Sequence, residues 1–223
     1  VSGETKDFGH FRQLQKKGIP LVFFDRDCEE LETSKVLVDN KDAAIKVVEH
    51  LLEEGCQRIA YLGGPETLSL SNTRLQGYRE AIEKKGIAFR PEWIVHCDFT
   101  LRSAEAATSK LLALEERPDA IFAMSDRLAV AAIKVAKENN LRIPEEMAVV
   151  GFNNEPVDPF ISPALSSVTL PEFEIGQLAS KLLIKEIINP DQEIAPETVV
   201  LRTELVVRKS SNRTGRPREE IVY

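Results

Sequence analysis

The sequence predicts an α/β protein in which a parallel sheet is covered on both faces by helices. Three observations carry this. From Ile19 onward, short β-branched runs alternate with stretches of helical period. Each helical stretch has one apolar stripe, enough to cover a sheet from one side. The irregular polar stretches follow strand runs, where open α/β sheets bind their ligands.

In chain order, Val1-Ser2 reads as the close of a strand, and Phe8, Phe11 and Leu14 as one helix; a sheet edge is expected to be missing before them. Strands are predicted at 21–24, 58–62, 93–97, 120–124 and 148–152. Ala44, Val47, Val48, Leu51 and Leu52 follow the i, i+3, i+4, i+7, i+8 spacing of a helix, with Asp39 or Asn40 as N-cap and Gly55 as stop. Leu75, Tyr78 and Ile82 lead to a stop at Gly86. The same spacing returns in Leu128, Ala131, Ala132, Val135 and Ala136, and again in Ile175, Leu178, Ala179, Leu182 and Leu183. Regularity breaks at DRDCEELETSK after Phe24, at NNEPVDPFISPALSS after Phe152, and in the polar tail from Ser210, which reads as a flexible end.

Composition narrows the function. The 223 residues suffice for one large domain or two intimate lobes, and 43% hydrophobic with 29% charged residues is a globular balance. No apolar run approaches the roughly 18–20 residues of a membrane span, so no membrane partner is expected. The net charge of −7 repels phosphate backbones, so nucleic acid would be reached through a partner domain. Cys28, Cys56 and Cys97 are odd in number and form no metal spacing with His10, His50 or His96, which suits buried thiols in a reducing cytoplasm and no metal site. Phosphate-loop, dinucleotide, GxSxG and HExxH motifs are absent. No catalytic residue and no cofactor is therefore expected, and an enzyme is not the reading.

Five blocks carry a resemblance: GIPLVFFDRD, VDNKDAAIKVVEHLLEEGCQRIAYLGGP, NTRLQGYREAI, RPDAIFAMSDRLAVAAIKVAKENNLRIPEEMAVVGFNNEP and PALSSVTLPEFEIGQLA, followed by LVVRKSS. In this order, over about residues 1–210, they resemble the effector-binding region of the lactose-repressor/galactose-repressor family of bacterial transcription regulators. The resemblance implies a two-lobed fold like that of periplasmic sugar-binding proteins, with the effector in the cleft and chain crossovers near 37–38, 168–169 and 198–199. Residues 1–37 and 169–198 would form a partial N-terminal lobe, 38–168 and 199–209 the C-terminal lobe, and 210–223 the tail. It also implies a helix-turn-helix headpiece, absent from this chain, through which operator DNA is bound.

Carried over position by position, the resemblance implies that Asp25, Arg26, Arg74, Phe99, Ser125 and Asn153 touch the ligand. A carboxylate and a guanidinium suit vicinal hydroxyls, although Asp25-Arg26 also reads as a local ion pair. Arg74 is a cation near a helix N-terminus, where a compensating group is expected; the alternative is a solvated helix charge. Phe99 offers a flat face to a sugar ring or else belongs to the core. Asp126 is most simply an N-cap, leaving Ser125 for the ligand. Asn153 stands where relatives commonly carry aspartate; it keeps the shape, drops the charge and adds donors, or is simply a turn.

The resulting expectation is a cytoplasmic homodimer that senses a sugar or sugar derivative and controls operator binding allosterically. A periplasmic solute-binding protein serving a transporter is the alternative. Because Arg26 and Arg74 outnumber Asp25, an anionic sugar derivative is favoured.

Overall fold

The computed structural model describes residues 8–28, 30–190, 192 and 194–215. They form two compact units, one taking the chain up to Asp39 together with Pro171–Thr203, the other taking Asn40–Leu170 and the chain from Glu204. The strand read at Val1-Ser2 lies outside the described residues.

The smaller unit is built on three parallel strands, β1 (Val22–Phe24), β2 (Ser34–Val38) and β8 (Thr198–Leu201), in the order β1-β2-β8. Two helices belong to it, α1 (Gly9–Lys16) and α6 (Glu172–Ile188), and α6 packs on β1 and β2. Phe23, Cys28 and Leu31 form one buried apolar cluster in it, with Phe8 and Phe11 packed against them. The ring of Phe11 meets Phe23 edge-on at 5.2 Å, the arrangement the aromatic quadrupole favours.

The larger unit holds a six-stranded sheet in the order β4-β3-β5-β6-β7-β9, from β3 (Ile59–Gly63), β4 (Ile94–His96), β5 (Ala120–Ala123), β6 (Ala148–Asn153), β7 (Ser166–Thr169) and β9 (Leu205–Val206). Only β7 with β9 is antiparallel. Every residue of β3 and β5 is buried, so both faces are covered and these strands read as continuous apolar runs. The cover comes from α2 (Asn40–Glu53) with α3 (Ser69–Lys84), and from α4 (Leu101–Leu112) with α5 (Asp126–Glu138). Gly55 and Gly86 end α2 and α3 at φ +84° and +70°, the left-handed stop that glycine adopts without strain. The three cysteines are buried free thiols, and burial pushes Cys56 up to about 12.

Two details depart from the sequence reading. Val38 pairs with Leu201, and Asp39 Oδ1 accepts from the Thr203 amide at 2.9 Å and its hydroxyl at 2.6 Å. All of β8 therefore belongs to the smaller unit, and the third crossing falls after Thr203 instead of at 198–199. The tail does not loosen at Ser210. Ser210 Oγ donates to Val149 O at 2.6 Å, Ser211 Oγ lies 2.7 Å from His50 Nε2, and the Thr214 amide donates to Glu54 at 2.8 Å. Hydroxyls here bond strand carbonyls and helix side chains, so a polar composition does not mean a free end. The tail expected over 216–223 lies outside the described residues.

Candidate functional site

In the smaller unit, Asp25 follows β1 with φ +60° while its amide still donates to Val36 O at 3.0 Å. A non-glycine residue held in the left-handed region stores strain, which clusters at ligand sites. The Arg26 side chain is only 21% exposed, and its Nε lies 4.0 Å from Asp25 Oδ2, the outer limit of an ion pair. Its Nη1 is buried and meets no acceptor among the described residues. The pair is thus loosely joined, with donor capacity left over.

In the larger unit, Arg74, Phe99, Ser125 and Asn153 come to one edge of the sheet, past the C-terminal ends of its strands. The links are physical. A methyl on Gly64 would lie 2.5 Å from the Met124 sulfur and 3.1 Å from the Phe99 ring, so the bare glycine lets ring and thioether close over the loop. Arg74 donates from Nη1 to the Met124 carbonyl and from Nε to Asn40 Oδ1 at 2.9 Å. Its guanidinium lies 3.4 Å from the centroid of the Phe152 ring, a cation–π contact. Arg74 sits in the second turn of α3 and is 1% exposed. The compensating groups expected from the sequence are in part the protein's own: a carbonyl, an amide oxygen and an aromatic face.

Ser125 is the N-cap of α5 but does not cap it with its side chain. Its hydroxyl is buried and has no partner among the described residues, although a serine there ordinarily satisfies a first-turn amide for about 1 kcal/mol. Asn153 closes β6 at φ +119° and Asn154 follows at φ +55°. Two of the sequence-predicted site residues, Asp25 and Asn153, are therefore among the four non-glycine residues with positive φ among the described residues.

Below this edge lies a cluster the sequence did not reveal. Asp126, read as a cap, instead accepts from Ser167 Oγ at 2.6 Å and the Glu155 amide at 3.0 Å, and is 1% exposed. Asp158 is fully buried with its carboxyl toward Asp126. Burial and the neighbouring Asp126 charge push Asp158 up to about 8, with Arg208 pulling the other way, and burial raises Asp126 as well. Arg208 itself donates to Leu165 O and Asn154 Oδ1, each at 2.7 Å. Among the described residues no cluster of three or more His, Cys, Asp or Glu is set to hold a metal ion, and no helix is long and apolar enough to cross a membrane.

Residues 48–211 match the family of the periplasmic binding protein-like domain. The chain is 35% identical over 209 residues to the HTH-type transcriptional repressor CytR of Escherichia coli, covering 94% of this chain and 61% of that protein. It overlays a transcriptional regulator LacI structure from Bacillus cereus subsp. cytotoxis with TM-score 0.84 at 27% identity, over 92% of this chain and 72% of that one.

The chain belongs to the lactose-repressor/galactose-repressor family.

Its α/β architecture is the periplasmic-binding-protein-like fold of that family. A cellobiose complex of the transcriptional regulator CelR overlays it with TM-score 0.85 at 33% identity, covering 92% of this chain and 62% of that one. The chain spans about three-fifths of the length of CytR. As a member of the family, it places four of the six expected ligand residues on one strand edge of the larger unit and the other two after β1 of the smaller.

Proposed function

We propose that the chain is the effector-binding and dimerisation region of a cytoplasmic helix-turn-helix repressor, binding a small carbohydrate-like molecule and controlling operator DNA through a headpiece outside this sequence. It performs no reaction. The observation that carries the reading is Ser125, whose buried hydroxyl forgoes its helix cap and points to a partner outside the protein. In the larger unit Asn153 supplies an amide and Phe99 a ring face, groups that suit a sugar, and in the smaller unit Asp25 and Arg26 by themselves supply an acceptor and an unused donor. Arg74 orders the edge through Met124 and Phe152. With its guanidinium engaged inside the protein, the count that favoured an anion reduces to Arg26 against Asp25, and a neutral sugar suffices. The repressor and regulator names of the relatives favour a regulator over a transporter's solute-binding protein. A ligand shifts such a regulator only through its differential affinity for two conformations.

A thermal-shift screen against neutral mono- and disaccharides, cellobiose included, and their phosphates tests this. At least one sugar is expected to raise the melting temperature; none doing so would sink the reading. Ser125→Ala is expected to weaken that sugar about tenfold, a change of roughly 1.4 kcal/mol, while leaving stability within about 0.5 kcal/mol because no internal hydrogen bond is lost. An unchanged affinity would remove Ser125 from the site. Sedimentation equilibrium at micromolar concentration is expected to give a homodimer, matching the two-fold symmetry of palindromic operators; a monomer would count against the dimerisation role.

A further inference from the structure

We propose that Asp158 is a positioning residue for the effector site, its carboxylic acid donating a hydrogen bond to the Asp126 carboxylate and so holding the turn that carries Asn153. The effect on a ligand rests on the effector reading above; the hydrogen bond itself does not.

Asp126 lies in the first turn of α5, where the helix end favours negative charge. It also receives two donors, the Ser167 hydroxyl and the Glu155 amide. The single Ser167 proton is used on Asp126, since Ser167 Oγ at the same time accepts from the Asn154 amide at 3.0 Å. Asp158 receives nothing: both of its carboxyl oxygens are buried, and neither has a donor among the described residues. Two facing carboxylates are acceptors only and repel; one proton converts the contact into a short hydrogen bond. It belongs on Asp158, because Asp126 already has the donors that stabilise a charge.

The other charged groups facing the pair do not supply the missing donor. Glu155, in the turn after β6, is an anion that adds to the repulsion, and Arg208, in the segment after β9, engages Leu165 O and Asn154. The Asp126 carboxyl packs against the bare backbone of Gly151, where a methyl would lie 2.0 Å from its Oδ1. The backbone connects this to the site. The Asp158 amide donates to Glu155 O at 2.9 Å, and Asp158 O accepts from the Leu165 amide at 3.0 Å. The stretch from Asn153 through Asp158 is therefore fastened to α5 and to β7 through the carboxyl pair. Asn153 and Asn154 keep positive φ within it, a conformation that persists only where surroundings fix it.

The sign follows from linkage. The folded chain holds the Asp158 proton more tightly than the unfolded chain, so stability falls as pH rises from the ordinary carboxylate range through the folded value. The 223-residue chain and its Asp158→Asn variant, whose amide still donates but does not titrate, are melted from about pH 5 to about pH 9. The variant is expected to gain at least about 5 °C on the parent across that range. In the parent, the Asn153 backbone amide resonance is expected to move over the same range and, in the variant, to stay still. Parallel melting profiles, or an Asn153 amide indifferent to pH, would overturn the proposal. Should the variant not fold, the Asp158 carboxyl carbon of the parent decides: titration in the ordinary carboxylate range overturns it, and titration well above supports it. No effector is present in these measurements, so their failure bears on the carboxyl pair alone, and failure of the sugar screen on the effector reading alone.

Discussion

Arg74→Ala is expected to destabilise the protein by about 4 kcal/mol, lowering its melting temperature by roughly 8–16 °C for a chain of this size. The guanidinium is buried, with hydrogen bonds to Asn40 Oδ1 and the Met124 carbonyl and its charge over Phe152. Hydrogen bonds from a charged group contribute about 1.5–3 kcal/mol each, and a desolvated cation–π contact about 2. These contributions overlap, and the alanine also leaves a cavity, so the total sits between one bond and the full sum. Arg74→Lys keeps the charge but loses the planar fork, so it should fall between parent and alanine. Thermal melts without ligand decide the matter. A variant that melts within about 2 °C of the parent while losing sugar affinity would mean that Arg74 serves the ligand alone.

That difference between ligand contact and internal brace is what the sequence could not resolve. It placed Arg74 on a helix after a glycine loop, but its acceptors come from α2 and from the end of β5, far away in the chain. Strands buried on both faces were legible, because β3, β5 and β6 are continuous apolar runs. The edge strands β1 and β4 were read as well, but β2, β7, β8, β9 and α4 were not. In β8 the residues are half-buried or exposed, and α4 buries Ala104, Ala107, Thr108 and Leu111, small or polar side chains that give a weak stripe. The site divides the same way. Asp25 and Asn153 could be read as strand-end residues, and their positive φ is a backbone property that the Asp and Asn identities permit. The carboxyl pair was hidden, because Asp126 and Asp158 have no local signature and meet only once β6 and β7 are aligned. Asp126 followed a serine and so looked like a cap, yet the fold turns its carboxyl inward to Ser167 and Glu155.

Gly77→Ala is expected to lower stability by about 2 kcal/mol and the melting temperature by about 4–8 °C, against the direction that helix propensity alone gives. A glycine inside a helix costs roughly 1 kcal/mol relative to alanine, so the substitution looks favourable from the sequence. The structure reverses the sign. Gly77 lies within α3 where that helix crosses α2, and a methyl at this position would sit 2.3 Å from the Lys41 carbonyl oxygen and 2.8 Å from the Ala44 methyl. The first of these is backbone, so no rotamer change relieves it. The helices must separate, and the packing of Ala43, Ala44 and Val47 beneath them loosens along the sheet. Gly176 in α6 is the matched control, because nothing lies within 4 Å of a methyl built there. Gly176→Ala should instead stabilise by about 0.5–1 kcal/mol. Denaturant unfolding of the two variants side by side reads both signs. A Gly77→Ala protein more stable than the parent would mean that α2 and α3 do not approach as closely as the structure places them.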